Sequence, residues 1–227
     1  ASESASGPGA PGPGPEENYS RLDALLVEHE LSAAFGELVH SCIEYEALGK
    51  PDRVPLPPKL ITLEPKETAF LEEAARRMAS GFFSSGIGEE VKEAAASGRA
   101  ESELPFLLKL DVELEHGSGT VPGTAEEAGT AGVSADSVLV RGQIDLVLNR
   151  PGEVVVLDFK TDHVIHPEEY AAQMAVYRRA AGEMYGKPSR SILIYVRTGQ
   201  LCEIDTEVDL KELVRRGIMA AEEEAQD

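Results

Sequence analysis

The sequence has few of the residues that stabilise small secreted proteins. Trp is absent, only 5% of the 227 residues are aromatic, and the only cysteines are Cys42 and Cys202. Two thiols so far apart in the chain do not form a disulfide framework, and they are too few for an iron–sulfur cluster, which needs four ligands. We therefore expect two reduced thiols in a cytoplasmic protein.

Long apolar segments are also missing. No apolar run approaches the roughly 18 residues of a membrane-spanning helix, and the first residues lack the basic and apolar regions of a signal peptide. We therefore expect no membrane contact. The chain does not begin with Met, which we interpret as the sign of a fragment or a processed piece of something longer.

Positive charge is scarce. The chain has 21 Lys and Arg residues against 41 Asp and Glu residues, which gives a net charge of −20. A DNA-binding protein that works alone is usually basic, because neutralising phosphates supplies most of its affinity. The acidity thus indicates that the substrate is not a nucleic acid, or that something else delivers it. A further alternative is that the acidity only keeps the chain soluble.

The first half of the sequence has helical patterns. Residues 1–17 are rich in Gly and Pro and predict a flexible tail or linker. Apolar residues at helical spacing then occupy three segments, residues 18–48, 65–84 and 88–96. Within the first of these, Gly36 indicates either a break between two helices or a close packing contact.

The second half changes to strand patterns. β-branched and alternating apolar residues predict five strands, at residues 103–114, 137–148, 153–160, 191–196 and 201–205. A tight turn at 149–152 makes the second and third strands an antiparallel hairpin, and a helix at 167–185 implies a right-handed crossover to a parallel fourth strand. The predicted fold class is therefore α/β, with a central mixed β-sheet flanked by helices. Residues 116–136 predict a loop, and a last helix begins near residue 210.

Two carboxylates and one ammonium group meet in the predicted hairpin. Asp158 and Lys160 are two residues apart on a strand and so share a face, and the tight turn places Asp145 near Asp158. Buried charges are costly unless they are paired or bind a metal, and hard carboxylate oxygens favour Mg²⁺ or Mn²⁺. The alternative is a structural Asp–Lys salt bridge beside a turn aspartate.

Four short motifs occur in order along the chain. They are G-x-x-x-H, G-x-I-D, D-x-K-T and Q-x-x-x-Y, at residues 36–40, 142–145, 158–161 and 173–177. With them the sequence resembles the PD-(D/E)XK nuclease superfamily, and within it the RecB-like branch at the C-terminus of bacterial AddA and RecB helicase–nucleases. The segment ESELPF at 101–106 also resembles the strand that opens the family's sheet. The resemblance implies a restriction-endonuclease-like fold.

The resemblance also assigns roles to the matching residues. The catalytic residues it implies are Asp145, Asp158 and Lys160. The metal ligands it implies are His40, Asp145, Asp158 and the backbone carbonyl of Phe159. Gln173 and Tyr177, one helical turn apart, would brace the site and contact the DNA backbone. The alternative for His40 is an ordinary surface or core histidine. The alternative for Gln173 and Tyr177 is ordinary helix packing.

The resemblance further implies a domain plan and a context. After the tail, residues 18–227 would form the nuclease domain, with a helical part at 18–100, a catalytic sheet and helix at 101–206, and an acidic helix at 207–227. Its relatives are exonucleases of ATP-dependent helicase–nucleases that act in double-strand-break processing and recombinational repair. The sequence has no phosphate-binding loop of the type G-x-x-x-x-G-K-[ST]. The helicase motor would therefore lie elsewhere in the parent chain, beside a partner nuclease or helicase subunit, and both would deliver DNA to this acidic domain.

Three hypotheses remain open on the sequence alone. The first is an active Mg²⁺- or Mn²⁺-dependent DNA nuclease module. The second is a catalytically inactive nuclease-fold domain that serves for DNA binding or for the assembly of subunits. The third is an unrelated acidic interaction domain, in which the charged residues of the hairpin form only a structural salt bridge.

Overall fold

The computed structural model describes residues 15–114 and 134–224, and the side chains of most of them. The described residues fall into two compact units, of which the first ends at Ser80 and the second begins at Gly81. No helix in the described ranges is long and apolar enough to cross a membrane. Most of the predicted tail, residues 1–14, and most of the predicted loop, residues 115–133, lie outside the described residues.

The first unit is helical. Its helices are α1 (Pro15–Glu28), α2 (Ser32–Ala47), α3 (Pro58–Ile61) and most of α4 (Pro65–Phe83), with a short 3-10 turn at Pro51–Arg53. Helix α1 begins with a proline, a residue that fits the first helical turn because its missing N–H has no partner there. The core of this unit consists of buried apolar side chains from all four helices, among them Leu22, Phe35, Leu38, Leu60 and Leu71.

The break between the first two helices lies at residues 29–31 and not at Gly36. Glu30 adopts a left-handed conformation with a φ of 52°, and the Leu31 N–H donates to the Leu26 carbonyl at 2.8 Å. Gly36 is an interior residue of α2. A glycine inside a helix costs about 1 kcal/mol relative to alanine, a small penalty in a helix that also buries Phe35 and Leu38.

The second unit is built on a five-stranded sheet. It contains helix α5 (Gly86–Ala96), strands β1 (Ala100–Leu114), β2 (Ser134–Asn149) and β3 (Val154–Lys160), a 3-10 turn (Pro167–Tyr170), helix α6 (Ala171–Tyr185), strands β4 (Ser189–Tyr195) and β5 (Gln200–Glu203), and helix α7 (Leu210–Glu224). The strand order is β1-β2-β3-β4-β5. The β3–β4 pair is parallel and the other three pairs are antiparallel, so the predicted mixed sheet is confirmed.

The central position of β3 follows from its composition. Its residues from Val154 to Phe159 are all buried, which is typical of a strand covered on both faces. Strands β1 and β2 are longer and continue past β3 as a two-stranded ribbon. In this ribbon Phe106 and Leu108 are buried while Leu107 is 66% exposed, the alternation expected when one face of a sheet is covered.

The turn between β2 and β3 is tied to helix α5 by one arginine. The Arg150 N–H donates to the Glu153 carbonyl at 3.0 Å and closes the turn. Its guanidinium donates to both carboxylate oxygens of Glu90 on α5, at 2.8 Å each, and to Glu153 Oε1 at 2.8 Å. Such two-pronged contacts are the stronger kind of ion pair. Arg150 therefore fixes the hairpin that carries Asp145.

We expect Arg150→Met to destabilise the protein by about 1 kcal/mol, because the pair is partly exposed and solvent screens it. The matched control is Arg216→Met on α7, whose contact with Glu212 is more exposed and should change stability by less than about 0.5 kcal/mol. Thermal denaturation of both variants measures the difference. Equal losses would contradict the assigned role of Arg150.

The effect of Arg150→Met should depend on pH. The Arg150 contact holds the pKa of Glu90 below its usual 4.5. The stabilisation is therefore complete above 4.5 and is lost as the pH falls through the lower pKa of the folded state. The stability gap between the two proteins should be constant near neutral pH and should shrink below 4.5.

Candidate active site

The end of strand β3 carries two charged side chains on one face. The Asp158 carboxylate is buried, with 1% exposure, and the Lys160 ammonium lies 2.7 Å from its Oδ2, with 15% exposure. Phe159 points to the opposite face, where its ring packs edge-on against Phe82 with 5.0 Å between centroids. This is the alternation that a strand imposes on successive residues.

Asp145 is held beside this pair by the end of strand pairing. Backbone pairing of β2 with β3 runs from Asn149 with Val154 to Leu146 with Leu157. Asp145 directly precedes Leu146 on β2, just beyond the last of these pairs. Its Oδ2 accepts a hydrogen bond from the Phe159 N–H at 2.9 Å. The carboxylate thus takes the place of a strand partner and is fixed next to the backbone of Asp158. The sequence-derived register placed Asp145 near Asp158, and the structure agrees.

A glutamine on helix α6 connects the members of the cluster. Gln173 Nε2 donates to Asp158 Oδ1 at 3.1 Å and to the Tyr177 hydroxyl at 3.0 Å, and Gln173 Oε1 accepts from Lys160 Nζ at 3.4 Å. The amide of Gln173 therefore links Asp158, Lys160 and Tyr177. Burial raises the pKa of the Tyr177 phenol, so it stays a neutral hydroxyl near pH 7. Gln173 thus contacts the Asp158 carboxylate directly, and Tyr177 contacts Gln173. The bracing role of both residues stays a prediction.

Sequence reasoning missed a third carboxylate. Glu103 on β1 lies at the register position opposite Asp145, between the pairs Ser102 with Leu146 and Leu104 with Ile144. Carboxylate oxygens of Glu103 and Asp145 lie within 4.8 Å of each other. The signal that pointed to this strand was the resemblance of ESELPF to the family's first strand. Strand periodicity gave no reason to separate Glu103 from Glu101.

The backbone of Glu103 is unusual. Its φ is 51°, a left-handed conformation that costs about 1–2 kcal/mol in a residue other than glycine. Gln143 Nε2 donates to the Glu103 carbonyl at 3.1 Å. Strain of this kind persists only where surrounding contacts impose it, and it is concentrated at functional sites.

The remaining predicted ligand belongs to the other unit. His40 is a half-buried residue of α2, in the unit that ends at Ser80. Its assignment as a metal ligand comes from the G-x-x-x-H motif and stays a prediction.

The glycine of the G-x-I-D motif has a packing role. Gly142 pairs directly with Phe106 across β1 and β2. A Cβ at position 142 would lie 2.6 Å from the Phe106 ring. That ring packs edge-on against Tyr177, with 5.6 Å between centroids. Gly142 therefore lets Phe106 lie where it supports the Tyr177–Gln173 pair.

In the second unit, three carboxylates and one ammonium group are thus gathered at one edge of the sheet. Strands β1, β2 and β3 each supply one carboxylate, and β3 also supplies the lysine. The excess of negative charge and the hard oxygen donors fit a divalent cation such as Mg²⁺ or Mn²⁺.

Comparisons with known proteins agree with this geometry. The family model of the PD-(D/E)XK nuclease superfamily matches residues 17–226. The chain therefore belongs to this superfamily, and the predicted resemblance is confirmed.

Individual relatives carry one common name. The chain is 29% identical over 179 residues to an ATP-dependent helicase/nuclease subunit from Desulforamulus reducens. It is 27% identical over 183 residues to proteins of the same name from Bacillus cereus and Bacillus anthracis. The matches cover 72–74% of this chain but only 13–14% of the length of these relatives. The chain thus corresponds to a small part of each.

We expect Gly142→Ala to destabilise the protein by about 1–3 kcal/mol, because the new methyl group overlaps the Phe106 ring. The matched control is Gly217→Ala in helix α7, where an added Cβ meets nothing within 4 Å and should stabilise by up to about 1 kcal/mol. Chemical denaturation of both variants measures the two changes. A neutral Gly142→Ala variant would show that the Phe106 packing is not needed.

Proposed function

We propose that this chain is a metal-dependent DNA nuclease domain that hydrolyses phosphodiester bonds. The observation that carries the proposal is the convergence of Asp145, Asp158 and Lys160 where β3 ends, in a chain that belongs to the nuclease superfamily. The Gln173 contacts and the carboxylate of Glu103 support it.

The donor set fits a divalent cation. Asp158 is almost completely buried, and a buried carboxylate is stable only with a counter-charge and hydrogen bonds. Lys160 supplies one positive charge beside Asp158, and carboxylate oxygens of Asp145 and Glu103 lie within 4.8 Å of each other, close enough to share one cation. We propose that Asp145, Asp158 and Glu103 hold Mg²⁺ or Mn²⁺, together with the Phe159 carbonyl.

The proposed mechanism divides the work between the ion and the side chains. When bound, the ion would polarise the phosphodiester and make a water molecule more acidic. The water oxygen would form a bond to phosphorus as the bond to the leaving sugar oxygen breaks, with no covalent intermediate. The attacking water would give up one proton to the solvent, and the leaving oxygen would take one from the solvent. Lys160, whose ammonium has three N–H groups and contacts Asp158 and Gln173, would direct its third N–H at a phosphate oxygen, where negative charge develops. Gln173, which contacts both side chains, would hold Asp158 and Lys160 in place during this step.

Further residues are assigned through their motifs. We propose that His40 adds an imidazole ligand, because it occupies the last position of the G-x-x-x-H motif. We also propose that Gln173 and Tyr177 contact the DNA backbone, since both lie beside the carboxylates.

The relatives support a wider context. We propose that the domain acts as the exonuclease of a cytoplasmic ATP-dependent helicase–nuclease in double-strand-break processing and recombinational repair. The helicase motor would belong to the same parent chain, with a partner nuclease or helicase subunit beside it. The net charge of −20 supports a domain to which an attached motor delivers DNA, because tethering raises the effective concentration.

Removal of either charged residue of β3 should abolish cleavage. We expect Lys160→Ala and Asp158→Ala each to lower the Mg²⁺-dependent cleavage rate by at least about 100-fold, as loss of a group that stabilises developing charge does. The assay follows labelled single-stranded and duplex DNA with the full chain.

A second lysine–aspartate pair provides the matched control. Lys109 and Asp111 are also two residues apart on a strand, with 3.5 Å between their charged atoms, but both are exposed. Lys109→Ala and Asp111→Ala should cleave at the original rate. Full activity of the Lys160→Ala variant, with contaminating nucleases excluded, would refute the assignment.

Metal binding can be measured without any DNA. We expect isothermal titration to show Mn²⁺ binding to the original protein, and binding weakened at least about 10-fold in Asp145→Asn and Glu103→Gln, since each change removes a charged oxygen ligand. His40→Gln should weaken it as well, and Asp111→Asn should not.

The same titration tests the alternative function. The strong acidity favours, as a second candidate, a catalytically inactive nuclease-fold domain for DNA binding or for the assembly of subunits. That domain would bind no Mn²⁺ although its motifs are intact. Mn²⁺ binding that does not change in Asp145→Asn would contradict the proposed site itself.

A further inference from the structure

The ammonium group of Lys160 has a third neighbour that the motifs do not include. Its Nζ lies 4.1 Å from the centroid of the Tyr170 ring, in addition to its contacts with Asp158 and Gln173. A cation over the face of an aromatic ring is attracted by the negative potential of that face, and more strongly so where water is excluded. The ammonium is therefore contacted by a carboxylate, an amide oxygen and an aromatic face.

The position of the ring is fixed from the same end of strand β3. The Tyr170 hydroxyl donates to Asp162 Oδ2 at 2.9 Å, and Asp162 is two residues beyond Lys160 in the chain. Burial, with a smaller contribution from Asp162, raises the pKa of Tyr170 to about 12, so its hydroxyl keeps its proton. The last residue of β3 thus supplies the cation that the ring covers, and the segment just after β3 supplies the carboxylate that anchors the ring.

The helix that follows ties the same ring to the rest of the cluster. Tyr170 ends the 3-10 turn that leads into α6, three residues before Gln173 and seven before Tyr177. Residues at this spacing share one helical face. One face of this element therefore presents the ring to Lys160, an amide to Asp158, and a phenol to that amide.

We infer that Tyr170 is a positioning residue that orients the Lys160 ammonium for cleavage, an inference that rests on the proposed nuclease function. A lysine side chain loses much rotational freedom when it is held in one geometry. Asp158 alone would attract the ammonium without fixing its direction. The ring limits the ammonium to the side of Asp158 and Gln173 and keeps water from it.

The inference predicts an effect on turnover more than on binding. Tyr170 acts on Lys160, whose contribution grows as charge develops on the phosphate, so its loss should lower kcat and leave KM nearly unchanged. We expect Tyr170→Leu to lower kcat by about 3- to 30-fold, the range expected for loss of a cation–π contact. Tyr170→Phe and Asp162→Asn should have smaller effects, because both keep the ring.

A fluorination series separates the electrostatic role from simple packing. In the full chain, Tyr170 is replaced by phenylalanine and by its mono-, di- and trifluorinated forms. Fluorine keeps the shape of the phenylalanine ring but weakens the negative potential of its face. We expect log kcat to fall steadily with each fluorine while the thermal stability changes little. Equal kcat values across the series would overturn the inference, as would an unchanged kcat in Tyr170→Leu.

A second measurement does not depend on nuclease activity. In the metal-free full chain with ¹³C-labelled lysine, the ε-methylene protons of Lys160 should show a ring-current shift that persists in Tyr170→Phe and disappears in Tyr170→Leu. An unshifted signal in the original protein would overturn the inference. If the original protein shows the shift but cleaves no DNA with Mg²⁺ or Mn²⁺, the proposed function fails while the contact of Tyr170 with Lys160 stands.

Discussion

The Asp158 carboxylate, buried at the end of the central strand, is the constraint on which the site depends. A charge in this position is destabilising by several kcal/mol unless it is paired and hydrogen-bonded. Lys160 supplies the counter-charge at 2.7 Å and Gln173 the hydrogen bond at 3.1 Å. Lys160 lies two residues after Asp158 on the same strand. Gln173 lies on helix α6, which connects β3 to the parallel strand β4. The crossover therefore positions the bracing residue as well as connecting the sheet.

The other carboxylates are placed by departures from regular strand pairing. Asp145 lies one position beyond the last β2–β3 backbone pair, where its side chain accepts the N–H that a strand would have bonded. Glu103 lies opposite it with a left-handed backbone. A regular ladder would satisfy these backbone groups and direct alternate side chains to opposite faces. The irregular backbone at Glu103 and the end of β2–β3 pairing at Asp145 instead leave both carboxylates near the end of β3, where Asp158 lies.

Local patterns explain why part of this arrangement could be predicted. The buried β-branched run of β3, the tight turn before it and the helix after it fix three strands and the approach of Asp145 to Asp158, since turn geometry sets register. The φ of Glu103 and the break at Glu30 could not be predicted, because a left-handed conformation is unusual in residues other than glycine. At Glu30 local hydrogen bonds end the helix, from the Glu30 N–H to the Val27 carbonyl and from the Leu31 N–H to the Leu26 carbonyl. Of the two alternatives for Gly36, the helix break is excluded, because Gly36 lies inside α2, and the close packing contact stays a prediction. A local preference of about 1 kcal/mol is too small to end a helix that tertiary packing stabilises.

The acidity of the chain bears on how the proposed site would meet DNA. A cluster that binds a divalent cation must have more negative than positive charge before the ion arrives, and here three carboxylates face one lysine. Such a site repels phosphate until the ion is present, so a basic surface is the usual remedy in a nuclease that works alone. A net charge of −20 provides no such general attraction. In the proposed enzyme the ion and neighbouring parts of a larger protein would therefore hold the substrate. Lys160 would add a positive charge beside the carboxylates, and the amide of Gln173 and the ring of Tyr170 limit where that charge can lie.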